Sequence, residues 1–272
     1  MNYYCTLKII WSRIKAGLIR YSYSATLPVN SSYEDVWLVE FPKSGVTWLT
    51  FLLANVNNKV NRVECKVNFN NIHDFVPDIH LSQNIKEKKG FPGFRFIKSH
   101  VDYNPYYHRV IYLVRDPRSI MVSYYKFLVG LKLYNKDISE FIRDETLGVK
   151  AWKRHLDMWI NKSNIGVKID FLRYEDLVNN TETQLKLIYQ RYGYTIPDDI
   201  IQSSVSSSSR SEMKVAESER YESDVRFSRN YGHFNFVRDG GVDGFREGLS
   251  ASDINYINEN TLEWRELFGY ID

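Results

Sequence analysis

The stretch VWLVEFPKSGVTWLTFLLANV, residues 36–56, decides the reading of the whole chain. Its first six residues form a short apolar run, the pattern of a strand buried on both faces. Pro42-Lys43-Ser44-Gly45 breaks the run, and WLTFLLANV follows with the spacing of a helix. A strand that turns at once into a helix aims several unpaired backbone N–H groups, and the positive end of a helix dipole, at one spot. Gly45 permits close backbone approach, Ser44 and Thr47 add hydroxyl donors, and Lys43 adds a mobile charge. Trp48, directly after them, offers a flat face to a base. These features converge on a phosphate-like anion, although the residue order is not the G-x-x-x-x-G-K-[ST] of the common phosphate loop. The competing reading of the same residues is a capped helix with a solvated lysine and a core tryptophan.

Working outward, similar units recur. FRFIKSH (94–100) is strand-like and ends in polar residues, and RVIYLVR (109–115) leads into DPRSIMVSYYKFLVG, where Asp116 caps and Pro117 takes the first helical position. VKIDFLRYEDL (167–177) reads as a further strand, followed by the helical TETQLKLIYQRYG that closes at Gly193. Short apolar strands alternating with helices predict a single α/β domain with a central, mostly parallel sheet flanked by helices. SSVSSSSRS (203–211) reads as a loop, and the polar segment 212–245 as a long surface segment. The predicted division is an N-terminal segment, 1–35, packing on a domain that spans 36–272.

Composition limits the function classes. With 36 basic and 33 acidic residues the net charge is only +3, so no nucleic-acid partner is expected, and any anion site must be local. Two cysteines, Cys5 and Cys65, form no framework or metal-ligand pattern, which favours a reducing, cytoplasmic setting. Lys8, Arg13, Lys15 and Arg20 interrupt the apolar residues of the first 24, so neither a secretory leader nor a stable membrane insertion is expected there. A short amphipathic helix that packs on the domain, or alternatively touches a membrane surface, is the expected form.

FPKSGVTWL resembles the PKSGTTWL motif of the PAPS-dependent sulfotransferases, whose domain is a sulfotransferase fold of the P-loop NTPase type. The other stretches of that family occur in its order. YLVRDPRSIMVSYYKF resembles its strand-Arg-helix-Ser element, which implies that Arg115 and Ser123 bind a 3′-phosphate. FIKSH resembles its I-K-[TS]-H, which implies catalytic roles for His100 and Lys98, and FLRYEDL resembles the strand end that places Tyr174 near the nucleotide. The resemblance implies 3′-phosphoadenylyl sulfate (PAPS) as sulfuryl donor, PAP as product and no metal. Lys43, Ser44, Gly45, Val46, Thr47 and Trp48 would hold the 5′ end of the nucleotide.

The C-terminal third departs from the pattern. VRDGGVDGFREGLS is similar to the family's R-K-G-x-x-G-D-W-K segment, so that Arg238 and Gly240 match, while Asp239 replaces a lysine. SSRSEMK implies that Ser208 takes the place of a threonine and Arg210 that of an aromatic at the adenine. Segment 212–245 is then expected to cover the nucleotide. In the implied mechanism His100 is the general base, and Lys43 and Lys98 stabilise charge, with Ser123 restraining Lys43. The acceptor is a hydroxyl or amine of a small molecule or glycan, for whose pocket Phe75, Phe91, Tyr103, Tyr107 and Phe127 are candidates, as they are for the core. His73, His80, His108, His155 and His233 are read as ordinary hydrogen-bonding or packing residues. A homodimer is compatible with the family. The alternatives are a phosphate-loop nucleotide kinase or NTPase and a non-catalytic PAP-binding module.

Overall fold

β1 (Val36–Glu40) is buried at all five positions. In the computed structural model it lies inside a four-stranded parallel sheet ordered β2 (Phe96–Ser99), β1, β3 (Arg109–Val114), β4 (Lys168–Arg173). The structure describes residues 27–63, 65–81, 84–85, 91–161, 167–223, 237 and 244–270, with the side chains of 221–223 excepted. Most of the expected N-terminal segment, Cys5, His233, Arg238, Asp239 and Gly240 lie outside the described residues.

The helices, in chain order, are α1 (Val46–Val60), α2 (Ile72–Phe75), α3 (Pro117–Gly130), α4 (Ile138–Arg143), α5 (Val149–Ile160), α6 (Tyr174–Asn179), α7 (Thr181–Gln190), α8 (Asp198–Ser207), α9 (Arg210–Ser223) and α10 (Ala251–Phe268). Alternation along the strands splits the core between the two sheet faces. Val36, Leu38, Ile111 and Leu113 pack with residues of α1, α7 and α8. Trp37, Val39, Val110 and Tyr112 pack with residues of α3, α4, α5 and α10. This is the α/β domain predicted, a central parallel sheet flanked by helices. Its local cues hold as well. Asp116 caps α3 by accepting from the Arg118 amide at 2.8 Å, with Pro117 in the first turn. Gly193 adopts φ +85° in the turn after α7.

The structure corrects four sequence expectations. The last strand stops at Arg173, and Tyr174–Asn179 is helical, with Glu175 and Asp176 in its first turn where acidic side chains favour a helix start. The serine-rich patch is the end of α8 and the start of α9, not a loop. Ser203 and Ser206 donate their hydroxyls back to the carbonyls of Ile200 and Gln202, while Ile201 and Ser204 face the interior. The first part of the supposed surface segment, through Ser223, is helix α9. Four of the five aromatics proposed for an acceptor pocket do not line the cavity described below. Phe75, Phe91 and Tyr107 are buried, with Tyr107 stacked on Trp37 at 3.7 Å, and Tyr103 packs edge-on against Trp159. Phe127 alone of the five lines it.

Candidate active site

Because the strands are parallel, their carboxyl ends meet at one edge, where open α/β sheets hold ligands. Glu40, His100, Arg115 and Tyr174 all sit there, at or just past the ends of β1, β2, β3 and β4. Among the described residues they line a single cavity of about 1640 Å³, together with Lys43, Gly45, Val46, Thr47, Trp48, Lys98, Ser123, Ser208 and Arg210. The structure therefore brings together twelve of the fifteen residues nominated from the sequence: of the other three, Arg238 and Gly240 lie outside the described residues and Ser44 is buried.

The loop between β1 and α1 is strained where it meets the cavity. Lys43 has φ +77° and Gly45 φ +114°, a region that costs a non-glycine residue on the order of 1–3 kcal/mol. Its geometry is fixed from inside, since the Ser44 hydroxyl donates to the Phe41 carbonyl at 2.9 Å. That hydroxyl was expected to face the anion, and it is instead used within the turn. Gly45 has no room for a side chain, because an added Cβ would stand 2.5 Å from the Tyr174 ring. Gly45→Ala is accordingly expected to destabilise the fold by on the order of 1–3 kcal/mol and to displace Tyr174, seen as a lower urea midpoint.

Arg115 is built into the same wall. Its Nη1 donates to the Lys43 carbonyl at 3.3 Å and its guanidinium lies 4.4 Å from the Tyr174 ring centre. Its buried Nε has no hydrogen-bond partner among the described residues. A buried guanidinium nitrogen of this kind calls for an acceptor, and a phosphate oxygen provides one. Lys43 Nζ sits 4.5 Å from the Phe127 ring centre, one turn beyond Ser123 on α3. Trp48 donates its indole N–H to the Ser208 carbonyl at 3.0 Å and meets Tyr174 edge-on, while the Ser208 hydroxyl accepts from Asn55.

On the opposite side, His100 Nδ1 lies 3.4 Å from the Glu40 carbonyl, which can only accept, so the proton belongs on Nδ1 and Nε2 carries the lone pair. Burial, then the neighbouring Lys98 and His80, holds the His100 pKa well below its usual value of 6.5, with Asp78 pulling the other way. The ring keeps 23% exposure, towards the cavity, so it is neutral and reachable at neutral pH. Lys98 is paired with Asp78 at 3.0 Å. Burial alone would raise the Asp78 carboxyl, but Lys98, followed by His100 and His80, holds it well below the usual carboxylate range.

Glu40, Asp78 and His80 carry no motif that marks them, yet they shape the site. The backbone of 77–79 runs beside β2, with the Lys98 amide donating to the Pro77 carbonyl at 2.8 Å. That pairing places the His80 ring to accept the His100 backbone N–H at 2.9 Å. His73 and His80, read from sequence as ordinary residues, line the same cavity as His100. His155 is a packing residue as expected, buried between the Tyr112 hydroxyl and the Val101 carbonyl. Glu40 is 3% exposed, and its Oε2 accepts the Val46 amide at 2.7 Å. Burial pushes its carboxyl up from 4.5 to about 7, against the opposing pull of the Val46 amide, Lys98, Lys43 and Arg115.

The sign of the resulting stability effect follows from that displacement. Below pH 4.5 the carboxyl is neutral in both the folded and unfolded states. Between pH 4.5 and about 7 the unfolded chain ionises it while the folded chain keeps its proton, and above about 7 both are ionised. The protein then loses on the order of 3 kcal/mol of stability from this group. Urea denaturation at pH 5 and pH 8.5 is expected to show this loss in the wild type and its absence in Glu40→Gln.

A helix start facing clustered cations at the strand ends defines an anion-binding α/β domain of the phosphate-loop type. Residues 33–269 match the model of the sulfotransferase domain, and the chain belongs to that family. Human sulfotransferase 4A1 is 33% identical over 129 residues, 44% of this chain and 44% of that protein. Sulfotransferase 1E1 of Bos taurus is 30% identical over 108 residues, 35% of this chain and 36% of that protein. The chain thus matches less than half the length of these curated relatives. Among solved structures, retinol dehydratase in complex with androsterone and inactive cofactor PAP superposes with a TM-score of 0.66 at 17% identity, covering 86% of this chain and 81% of that one. A mouse sulfotransferase complexed with PAP superposes with a TM-score of 0.61 at 21% identity, covering 87% and 85%. At these identities the likeness is one of fold, which is that of the sulfotransferases.

Proposed function

We propose that the protein transfers a sulfuryl group from PAPS to a hydroxyl or amine of a small-molecule or glycan acceptor, releasing PAP. The observation that carries this reading is the convergence of the strained Lys43–Trp48 loop, Arg115, Lys98 and His100 on one cavity. The residues present suit the donor. The Val46 amide already holds a carboxylate, an anion of the kind the loop is shaped for, and the buried Arg115 Nε lacks an acceptor among the described residues. In this reading the loop holds the 5′ end of the nucleotide, Arg115 and Ser123 hold its 3′-phosphate, and Trp48, Tyr174, Ser208 and Arg210 surround the base. Arg238 and Gly240 complete the 3′-phosphate contacts.

Sulfuryl transfer passes through a loose, charge-separated transition state, so positioning and electrostatics do most of the catalysis. His100 Nε2 takes the acceptor proton, its ring oriented by the Nδ1–H bond to the Glu40 carbonyl. Lys43 stabilises charge on the oxygen that leaves sulfur, with Ser123 restraining it beforehand. Lys98, held in place by Asp78, faces the sulfuryl oxygens. Lysines and amides supply the positive charge, so the reaction is proposed to need no metal.

Phe69, Ile72, Tyr124, Phe127 and Leu147 line the cavity, and in this reading they form the apolar wall of its acceptor end. Among the described residues no helix is long and apolar enough to cross a membrane. A cytoplasmic location, a homodimer, and a nucleotide cover formed by 212–245 on a domain spanning 36–272 go with this reading.

Transfer of radiolabelled sulfate from PAPS, screened over phenols, sterols and oligosaccharides, tests the proposal. Labelled product from at least one class is expected. Magnesium-dependent ATP turnover without sulfuryl transfer would replace the proposal with a kinase or NTPase. The pH profile supplies a further check, because neutral His100 is the active form and its pKa is held below 6.5. At saturating PAPS, kcat is therefore expected to hold as the pH falls to 6.5, with its acid limb lower still. A limb at or above that value contradicts the assignment of His100 as the base.

A further inference from the structure

The Glu40 carboxylate is placed where the loop should be receiving a ligand. It stands at the end of β1, three residues before the strained Lys43, and it is 3% exposed. Its Oε2 accepts the amide of Val46, the first residue of α1, at 2.7 Å. Its Oε1 lies 3.7 Å from His100 Nδ1. That amide belongs to the helix start that, on the reading above, takes the 5′ anion of the nucleotide. An ionised carboxylate and a phosphate cannot share one N–H at contact distance without strong repulsion.

We propose that Glu40 is a residue of the donor site that acts as an internal anion on the Val46 amide, and that the nucleotide seats only when Glu40 yields that amide and takes up one proton from solvent. This inference rests on the assignment of the cavity to PAPS and adds a proton to the binding step. The neutral carboxyl then has an O–H to donate to the 5′ anion. Val46 itself offers no hydroxyl for that purpose, so the two residues together restore a donor to the cradle.

The charged groups around Glu40 set the balance. Lys43 comes from its own loop, Lys98 and His100 from β2 and its end, and Arg115 from the end of β3. The cations favour the ionised form in the free protein, while burial opposes it and leaves the carboxyl titrating at about 7. Bringing a phosphate to the same spot raises it further, because a second negative charge disfavours ionisation. Binding of the nucleotide is thereby coupled to pH on the alkaline side of neutrality.

The test is isothermal calorimetry with PAP at pH 8, run in two buffers of different ionisation enthalpy, on the wild type and on Glu40→Gln. Subtracting the variant removes the protons of the ligand's own phosphates and of His100. The wild type is expected to take up close to one proton more than Glu40→Gln, and its PAP affinity relative to the variant to fall roughly tenfold per pH unit above about 7. Glu40→Ala, which frees the amide, is expected to show the same lack of extra proton uptake and serves if the glutamine variant does not fold. If the wild type binds PAP with the same proton uptake as both variants, the role of Glu40 is overturned and the donor site stands. If the wild type binds no PAP at any pH between 6 and 8.5, the donor-site assignment falls, and this inference with it.

Discussion

Replacing His100 by alanine is expected to lower sulfuryl transfer by about 10²- to 10⁴-fold, the range a positioned general base supplies, while leaving PAP affinity close to that of the wild type. The expectation rests on where the ring sits. Its Nδ1–H is committed to the Glu40 carbonyl, which leaves Nε2 unprotonated, and the cavity side of the ring stays exposed. The backbone around His100 does not depend on the ring, since its amide donates to His80 Nε2 and survives the substitution. Loss of turnover should therefore occur without loss of fold, with an unchanged thermal midpoint as the control. A variant that retains turnover refutes the role. His80→Ala separates the two histidines: it removes the acceptor of the His100 amide and should lower kcat by misplacing the base, with the acid limb of the pH profile moved up because His80 helps to hold the His100 pKa down.

The second large effect is expected at Arg115. Arg115→Ala should raise the KM for PAPS by about 10- to 100-fold, the worth of a charge-assisted hydrogen bond of about 1.5–3 kcal/mol, with a smaller change in kcat. Arg115 is held at two points, by the Lys43 carbonyl and the Tyr174 ring, and its Nε is buried without an acceptor among the described residues. Such a group is positioned before the ligand arrives, so little ordering cost is left at binding. Arg115→Lys tests geometry against charge. Lysine keeps the charge but not the planar fork, and should recover only part of the affinity. Steady-state kinetics in PAPS for the three proteins decides it, and equal KM values remove Arg115 from the site.

The sheet was legible because its two inner strands, β1 and β3, are buried on both faces, which compels apolar runs such as those at Val36–Val39 and Val110–Val114. The start of α3 was legible because Asp116 and Pro117 act locally. The helices at 198–223 were hidden for a physical reason. Serine favours turns by bonding to nearby backbone, but Ser203 and Ser206 bond to carbonyls three and four residues back, which a helix allows. The cavity contacts of His80 and the pairing of Asp78 with Lys98 depend on a segment lying beside β2, and no local pattern encodes that neighbour. Aromatic residues were a weak guide to the acceptor pocket because the same side chains fill cores, as Phe75 and Tyr107 do here. Glu40, a carboxylate at the end of an apolar run, passed unmarked in the sequence, and its meaning emerged only with the Val46 amide beside it.

The central claim is that the strand-end cavity holds a nucleotide with phosphate at both ends. Calorimetric titration of the wild-type chain with PAP and, separately, with 5′-AMP tests it most directly, since the two ligands differ only in the 3′-phosphate. The account predicts micromolar binding of PAP and an affinity for 5′-AMP weaker by about 10- to 100-fold, the charge-assisted contacts to the missing phosphate being absent. Equal affinities, or no PAP binding at micromolar concentrations, would contradict it.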